Sequence, residues 1–149
     1  ILLEQFFKYL NSALKNTGVP ISADVFGMTM TNFDGLNIGQ VLERIEPYFD
    51  YVSPMVYPSH YPATFQGFKN PAAHPYEVVL YSMKRGVERV IAASSSPLKL
   101  RPWLQDFDLG AIYDAQKIRA QIQATYDAGL TSWMMWDPAN KYTKDGYLE

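Results

Sequence analysis

Apolar residues recur at helical spacing at the start of the chain, and a shorter apolar run follows them. The pattern predicts a helix over residues 2–14, and Gly18 supplies a C-terminal stop for it. The run 21–27 is too short for a helix and holds a single carboxylate, which favours a buried strand. The apolar positions of the helix are Leu3, Phe6, Phe7, Leu10 and Leu14.

The same alternation of helical and strand patterns continues to the end of the chain. Pro54 is awkward within a strand because it cannot donate to the ladder. Gly129 ends the strongest helical pattern, which starts at Asp114. The predicted helices are 38–45, on the stripe Ile38, Val41, Leu42 and Ile45, then 76–86, continuing or broken over 87–93, and 114–128; the predicted strands are 51–57, 100–107 and 131–136.

This order of elements, α-β-α-β-α-β-α-β, indicates an α/β fold with four parallel strands joined by helices. We predict a single domain over 1–149, because no linker or repeat divides the chain. A flavodoxin-like open sheet is an alternative. Such a sheet is expected to carry a glycine-rich phosphate loop after its first strand, and none follows the run 21–27.

Composition narrows the possible functions. With 48% hydrophobic and 15% aromatic residues the chain can bury a core. Its formal charge of -2 gives no basic footprint for nucleic acid, and no apolar run is long enough to span a membrane. The absence of cysteine excludes a disulfide and a thiol nucleophile, and two histidines without metal-ligand spacing predict no metal and no cofactor. No initiator methionine or signal sequence opens the chain, which we interpret as an internal stretch of a longer protein.

Four segments together resemble a glycosyl hydrolase domain family of bacterial envelope proteins, whose fold is a TIM barrel distantly similar to the alpha-amylase type. The second and third segments are the most specific, since strand patterning alone does not produce them. The segments are Ser22-Ala23-Asp24-Val25-Phe26-Gly27, Ser53-Pro54-Met55-Val56-Tyr57-Pro58-Ser59-His60-Tyr61, Arg101-Pro102-Trp103-Leu104-Gln105-Asp106-Phe107 and Trp133-Met134-Met135-Trp136-Asp137-Pro138, with Asn140 and Tyr142.

The resemblance implies that the chain is the C-terminal half of a (β/α)8 TIM barrel, covering its last four parallel strands. The amino-terminal half, with part of the presumed active site, is then missing. A half barrel leaves two sheet edges open, so we expect association with the missing half or with another copy. The resemblance also implies export or a place in the cell envelope, and carbohydrate as the partner.

The site of a TIM barrel lies at the carboxyl ends of its strands, and glycoside hydrolysis usually needs two carboxyl groups. We predict Asp24 and Asp106 as catalytic residues. Asp24 lies between apolar neighbours, so we expect it to be desolvated, as an acid or as a structural carboxylate. The structural alternative for Asp106 is that it caps the loop after its strand.

Six further residues are predicted to bind substrate, because aromatic faces pack against sugar rings and polar groups bond to hydroxyls. Trp136 is preferred to Trp133, since strand alternation points the two side chains to opposite sides. Asp137 precedes Pro138, and such a pair commonly begins a turn. The predicted binding residues are Tyr57, His60, Trp103, Gln105, Trp136 and Asp137.

The function that these patterns favour is a glycoside hydrolase acting on a polysaccharide by carboxylate acid/base chemistry, with this chain inactive by itself. The alternative is a non-catalytic barrel that binds envelope glycan or serves as a scaffold. A phosphate-binding enzyme is disfavoured because the last two strands lack glycine-rich loops. Two carboxyl groups facing each other across a cleft distinguish the hydrolase from the binding protein.

Overall fold

The computed structural model describes residues 2–147. Short 3-10 turns connect the helices and strands in several places. Among the described residues no helix combines the length and the apolar character needed to cross a membrane. The elements are α1 (Leu2–Leu14), β1 (Ser22–Phe26), β2 (Tyr51–Met55), α2 (Pro75–Ala92), β3 (Trp103–Gln105), α3 (Ala115–Asp127) and β4 (Met134–Trp136).

The four strands form one parallel sheet in the order β1-β2-β3-β4, which confirms the predicted α/β class and strand number. A doubly wound sheet would instead contain a point where the strand order reverses. The register places Asp24 beside Ser53, and Trp103 beside Met134. The strand order therefore follows the chain order from one edge of the sheet to the other.

Pro54 lies inside β2, and the ladder towards β3 is correspondingly sparse. The two strands share the pair Met55 and Trp103 and an isolated bridge from Val52 to Leu100. Backbone bonds join the strands on either side of Pro54, where Arg101 donates to Val52 at 3.0 Å and Val56 donates to Trp103 at 3.0 Å. Proline has no N–H to donate between these two bonds. The sheet accommodates Pro54 by losing one ladder bond.

The core lies between the sheet and the helices α2 and α3. Apolar strand residues such as Val25, Val52 and Leu104 are buried on this side of the sheet, together with Met83 of α2 and Ile118 of α3. Strand alternation then directs the neighbouring residues to the opposite face. We call the first side the helix face and the second the open face.

A paired amide contact fixes α3 against β3. The backbone N–H of Gln105 donates to the Gln121 side chain at 2.9 Å, and the Gln121 amide donates back to the Gln105 carbonyl at 2.8 Å. Both residues are fully buried, so these bonds replace water for each group. Asp114 caps α3 by accepting from the Lys117 N–H, at the predicted start of the helix.

The predicted helix over 38–45 is wrong. The segment instead contains a 3-10 turn at Leu42–Arg44, and a second one follows it at Glu46–Tyr48. Left-handed backbone conformations at Gly35, Asn37 and Gly39 interrupt any regular helix before this point. The apolar stripe is only partly buried, because Leu42 and Ile45 are in the core whereas Ile38 is 47% exposed.

A buried cation ties this irregular region to α2. Arg89 is 5% exposed and donates to both carboxylate oxygens of Glu43, at 2.7 and 2.6 Å. Its remaining nitrogen donates to the carbonyls of Thr29, Met30 and Asn32. The hydrogen bond from Arg89 lowers the pKa of Glu43. The chain that follows β1 is therefore held in place without regular secondary structure.

Candidate functional site

The open face of the sheet carries an acid and two tryptophans that contact one another. The indole N–H of Trp103 donates to Asp24 Oδ1 at 3.0 Å. The rings of Trp103 and Trp136 lie edge to face, with centroids 6.0 Å apart. Asp24 is exposed and Trp136 is 43% exposed. The expectation that Asp24 is desolvated was wrong, because its side chain points to the open face and not into the apolar core.

Trp103 reaches Asp24 by crossing β2, which lies between β1 and β3. Ser53 is the register partner of Asp24 on β2 and is fully buried, although it lies on the open face. The crossing indole accounts for this burial. The Ser53 hydroxyl has no hydrogen-bond partner among residues 2–147.

The loop after β2 adds an aromatic group at the carboxyl end of the sheet. The rings of Tyr57, His60 and Phe107 contact one another edge to face, with centroid distances from 5.4 to 5.9 Å. His60 is exposed, and the Ser59 hydroxyl lies 3.1 Å from its Nδ1. The loop thus presents an imidazole to solvent next to a buried phenol.

Gln105 holds this loop in position. Its side-chain oxygen accepts from the Ser59 N–H at 3.1 Å and from the Ser59 hydroxyl at 2.9 Å, and its amide donates to the Phe107 carbonyl. Gln105 is fully buried, although it was predicted to bind sugar directly. The structure places it behind the site, where it orients the residues that precede His60.

Tyr57 is electrostatically linked to the acid on the open face. Burial raises the pKa of the Tyr57 phenol to about 12, and the neighbouring Asp24 and Tyr142 contribute in the same direction. A carboxylate stabilises the neutral phenol, because ionisation would place two negative charges near each other. Tyr57 therefore keeps its proton at neutral pH and can donate a hydrogen bond.

Asp106, the second predicted catalytic acid, is on the other side of the sheet. It is 3% exposed, and its Oδ2 accepts from the Thr143 N–H at 2.8 Å and from the Tyr147 hydroxyl. Burial, then the hydrogen bond to Asp106, raise the pKa of Tyr147 above the ordinary tyrosine range. Oδ1 has no partner within the described part of the chain. This carboxylate anchors the last described segment, which packs against Ile118 of α3 through Gly146.

Asp137 stabilises the turn that the Asp-Pro sequence predicts. Its side chain accepts from the Ala139 N–H, and its carbonyl accepts from the Asn140 N–H at 3.1 Å. Trp133 points to the helix side, where its indole donates to Tyr126 at 3.1 Å, so the predicted choice of Trp136 for the open face agrees with this geometry. The structure brings together Asp24, Trp103, Trp136, Tyr57 and His60 and keeps Gln105, Asp106 and Asp137 behind them.

A pocket of about 360 Å³ lies next to this group, at the carboxyl ends of β1 and β2. The sequence prediction did not include it, although alternation along β1 places Phe26 on the same face as Asp24. Over residues 2–147 no three acidic, histidine or cysteine side chains are grouped so that they could hold a metal ion. Apolar lining residues are Phe26, Met28, Leu36, Ile38 and Met55.

Comparisons with known proteins give one match. No curated protein and no solved structure is significantly similar to the chain. A protein-family model described as "Putative glycosyl hydrolase domain" matches residues 2–142, which include every strand of the sheet and all of the predicted site residues. The chain therefore belongs to this glycosyl hydrolase domain family.

Proposed function

We propose that this chain forms the sugar-binding part of a glycoside hydrolase, with its substrate on the open face of the sheet. The observation that supports this most is the contact between Asp24, Trp103 and Trp136. A partly exposed indole offers an apolar face for the C–H side of a sugar ring, and an exposed carboxylate accepts hydrogen bonds from its hydroxyls. Membership of the family makes a saccharide the expected ligand.

Asp24 retains its predicted role as catalytic acid or base in this proposal. It is the one acidic residue within the four described strands, and one of its oxygens already accepts from Trp103. That bond fixes the carboxylate and leaves its other oxygen for the substrate. The Tyr57 phenol, which stays protonated, is placed nearby as a hydrogen-bond donor.

Glycoside hydrolysis usually uses a second carboxyl group, and we propose that it does not come from Asp106. Asp106 is buried on the helix side and bonded to the Tyr147 hydroxyl, so it cannot face Asp24 across a bound sugar. We propose that the second carboxylate belongs to further strands that complete an eight-stranded barrel. The chain alone is then expected to bind a saccharide without cleaving it.

The sheet supports the barrel part of this proposal. Its strands are parallel and sequential, and β1 and β4 each pair with one described strand only. Four more strands would close the sheet into a barrel, in which the open face lines the interior and substrate enters at the carboxyl ends of the strands. We propose that they come from another part of the protein or from a second copy.

Glycan binding without catalysis is the second candidate function. It is favoured by the absence of a second exposed carboxylate on the four described strands. The two functions share the open face and differ only in whether a completed barrel cleaves the bound sugar. The family description supports the hydrolase.

Titration of the purified chain with oligosaccharides of cellulose, xylan, chitin and starch tests the proposal. We expect at least one to change the tryptophan fluorescence and to lose ten-fold or more in affinity with Trp136→Ala. Tyr9→Ala is the matched control, because Tyr9 is 68% exposed and belongs to α1, outside the sheet. No binding, or equal losses in both variants, would contradict the proposal. Release of reducing sugar by the chain alone would contradict the need for further strands.

A further inference from the structure

The apolar pocket adjoins the group formed by Asp24, Trp103 and Trp136 on the open face. Phe26 lies two residues after Asp24 on β1, so the two side chains share the open face. Met55 on β2 is the register partner of Trp103. Both Phe26 and Met55 line the pocket. A ligand that contacts Asp24 and Trp103 can therefore extend into the pocket without a break.

The pocket offers few hydrogen bonds. Besides its five apolar side chains it is lined by Gly27, Tyr57, His60 and Tyr61. The Tyr61 hydroxyl is buried and already accepts from Ser82 at 3.0 Å. The Tyr57 hydroxyl and the His60 imidazole remain as side-chain partners. Each buried sugar hydroxyl that lacks a partner costs free energy, so this lining does not suit a second sugar ring.

Loop residues with an unfavourable backbone form one wall of the pocket. Leu36 has φ of 56° and follows Gly35 with φ of 77°. Asp34 accepts from the Leu36 N–H at 2.9 Å and holds this turn. Leu36 and the half-exposed Ile38 thus stay beside the pocket instead of entering the core. Backbone strain of this kind persists where surrounding contacts enforce it.

We infer that the chain recognises saccharides that carry an apolar substituent, an acyl, alkyl or aryl group, and that the substituent occupies this pocket. The inference rests on the proposed function, since the sugar itself lies on Asp24, Trp103 and Trp136. The pocket volume of about 360 Å³ is enough for a phenyl ring or a short acyl chain. Burying such a group removes apolar surface from water, on both the ligand and the half-exposed pocket wall.

Methyl and phenyl glycosides of glucose, xylose and N-acetylglucosamine, in both anomers, test this inference on the full chain. Binding is followed by NMR of methyl-labelled methionine, in which Met28 and Met55 report on the pocket and the buried Met83 serves as reference. We expect a phenyl glycoside to bind about ten-fold more tightly than its methyl counterpart. Only the phenyl compound should shift Met28, whereas Met55, the register partner of Trp103, can respond to both compounds.

Two matched variants test whether the tighter binding of the phenyl glycoside comes from the pocket. Ile38→Asp places a charge at the pocket wall and is expected to abolish the preference for the phenyl compound while leaving methyl glycoside binding unchanged. Ile112→Asp makes the same change at a residue that is 73% exposed and outside the pocket, and should keep the preference. Trp136→Ala should weaken both compounds.

The outcomes separate the inference from the proposed function. Equal affinity of methyl and phenyl glycosides, or a preference that survives Ile38→Asp, overturns the inference and leaves the sugar site intact. Phenyl glycoside binding that is insensitive to Trp136→Ala overturns the inference as well, because the sugar then contributes nothing. If no glycoside of either kind binds, the proposed function itself fails and the inference with it.

Discussion

The two faces of the sheet differ in what their side chains contact. On the helix face Val25, Val52 and Leu104 are fully enclosed by apolar neighbours from α2 and α3. On the open face Asp24 and Trp136 are exposed and interact mainly with Trp103. Residues one position apart along a strand therefore have different tasks. The helix face stabilises the fold, and the open face holds the groups that can contact a ligand.

The two aspartates predicted to be catalytic also lie on different faces of the sheet. Asp24 is exposed and bonded to one indole, whereas Asp106 is 3% exposed and bonded to the backbone and side chain of the segment 143–147. A buried carboxylate that accepts bonds from a distant segment contributes to folding. The two aspartates thus have different surroundings, since Asp24 lies in the middle of β1 on the open face and Asp106 directly follows β3 on the helix side.

The largest expected effect is on the helix face. Leu104→Ala removes a fully buried side chain and should lower the free energy of unfolding by about 2–5 kcal/mol, because it leaves a cavity in the core. Trp136 lies on the open face of the neighbouring strand β4. Trp136→Ala should change the free energy of unfolding by less than about 1 kcal/mol. Urea unfolding measures both. Similar losses in the two variants would mean that the faces are not divided in this way.

The anchoring role of Asp106 predicts the next largest effect. Tyr147→Phe removes the hydroxyl that donates to Asp106 and should cost about 1–3 kcal/mol of stability, because a buried carboxylate loses a partner. Tyr142→Phe is the control, since Tyr142 is 39% exposed, and should change the stability by less than about 0.5 kcal/mol. Thermal or urea unfolding distinguishes them. If Tyr147→Phe leaves the stability unchanged, Asp106 does not have the anchoring role proposed for it.

The smallest effect concerns the link between Tyr57 and the acid. Because the folded-state pKa of Tyr57, about 12, exceeds its ordinary value of 10.0, this residue stabilises the fold below pH 10 and the contribution is lost as the pH rises towards 12. Tyr57→Phe should remove that part of the alkaline loss. Unfolding measured from pH 8 to 12 tests this.

Asp24→Asn tests the same interaction between Asp24 and Tyr57 by changing the acid instead of the phenol. The change should lower the pKa of Tyr57 but keep it above 10.0, because burial is the larger cause of the shift and Asp24 the smaller. The Trp103 indole N–H can donate to the amide oxygen of the new side chain, which should preserve the fold. NMR titration of labelled tyrosine measures the value, and Asp145→Asn, an exposed acid on the segment after β4, is the control. If the pKa of Tyr57 does not change, Asp24 does not lie close enough to influence the phenol.

Local patterns predicted the parts of the fold that depend on local physics. Period-two alternation placed Trp136 and Trp133 on opposite sides, and helical periodicity gave α1 and α3 to within a residue or two. The helix predicted over 38–45 does not form, because the backbone is left-handed at Leu36 and Asn37 just before the segment and at Gly39 within it. No periodicity argument detects such residues.

The parts of the site that depend on distant contacts were not predictable in the same way. Tyr147 lies 41 residues from Asp106 along the chain, and nothing near Asp106 signals that partner. The burial of Gln105 likewise depends on Ser59, which is 46 residues away. The sequence could therefore identify the chemistry available at the strand ends, but only the packing shows which groups remain free to bind.

The most direct test of the central claim uses the three tryptophan indoles as reporters. An NMR spectrum of the full chain, assigned with single Trp→Phe variants, is recorded with and without the cellulose, xylan, chitin and starch oligosaccharides. The account predicts that a binding saccharide shifts the indole N–H signals of Trp103 and Trp136 and leaves that of Trp133, which is bonded to Tyr126 on the helix side, unchanged. Shifts confined to Trp133, or no shift with any saccharide, would contradict it.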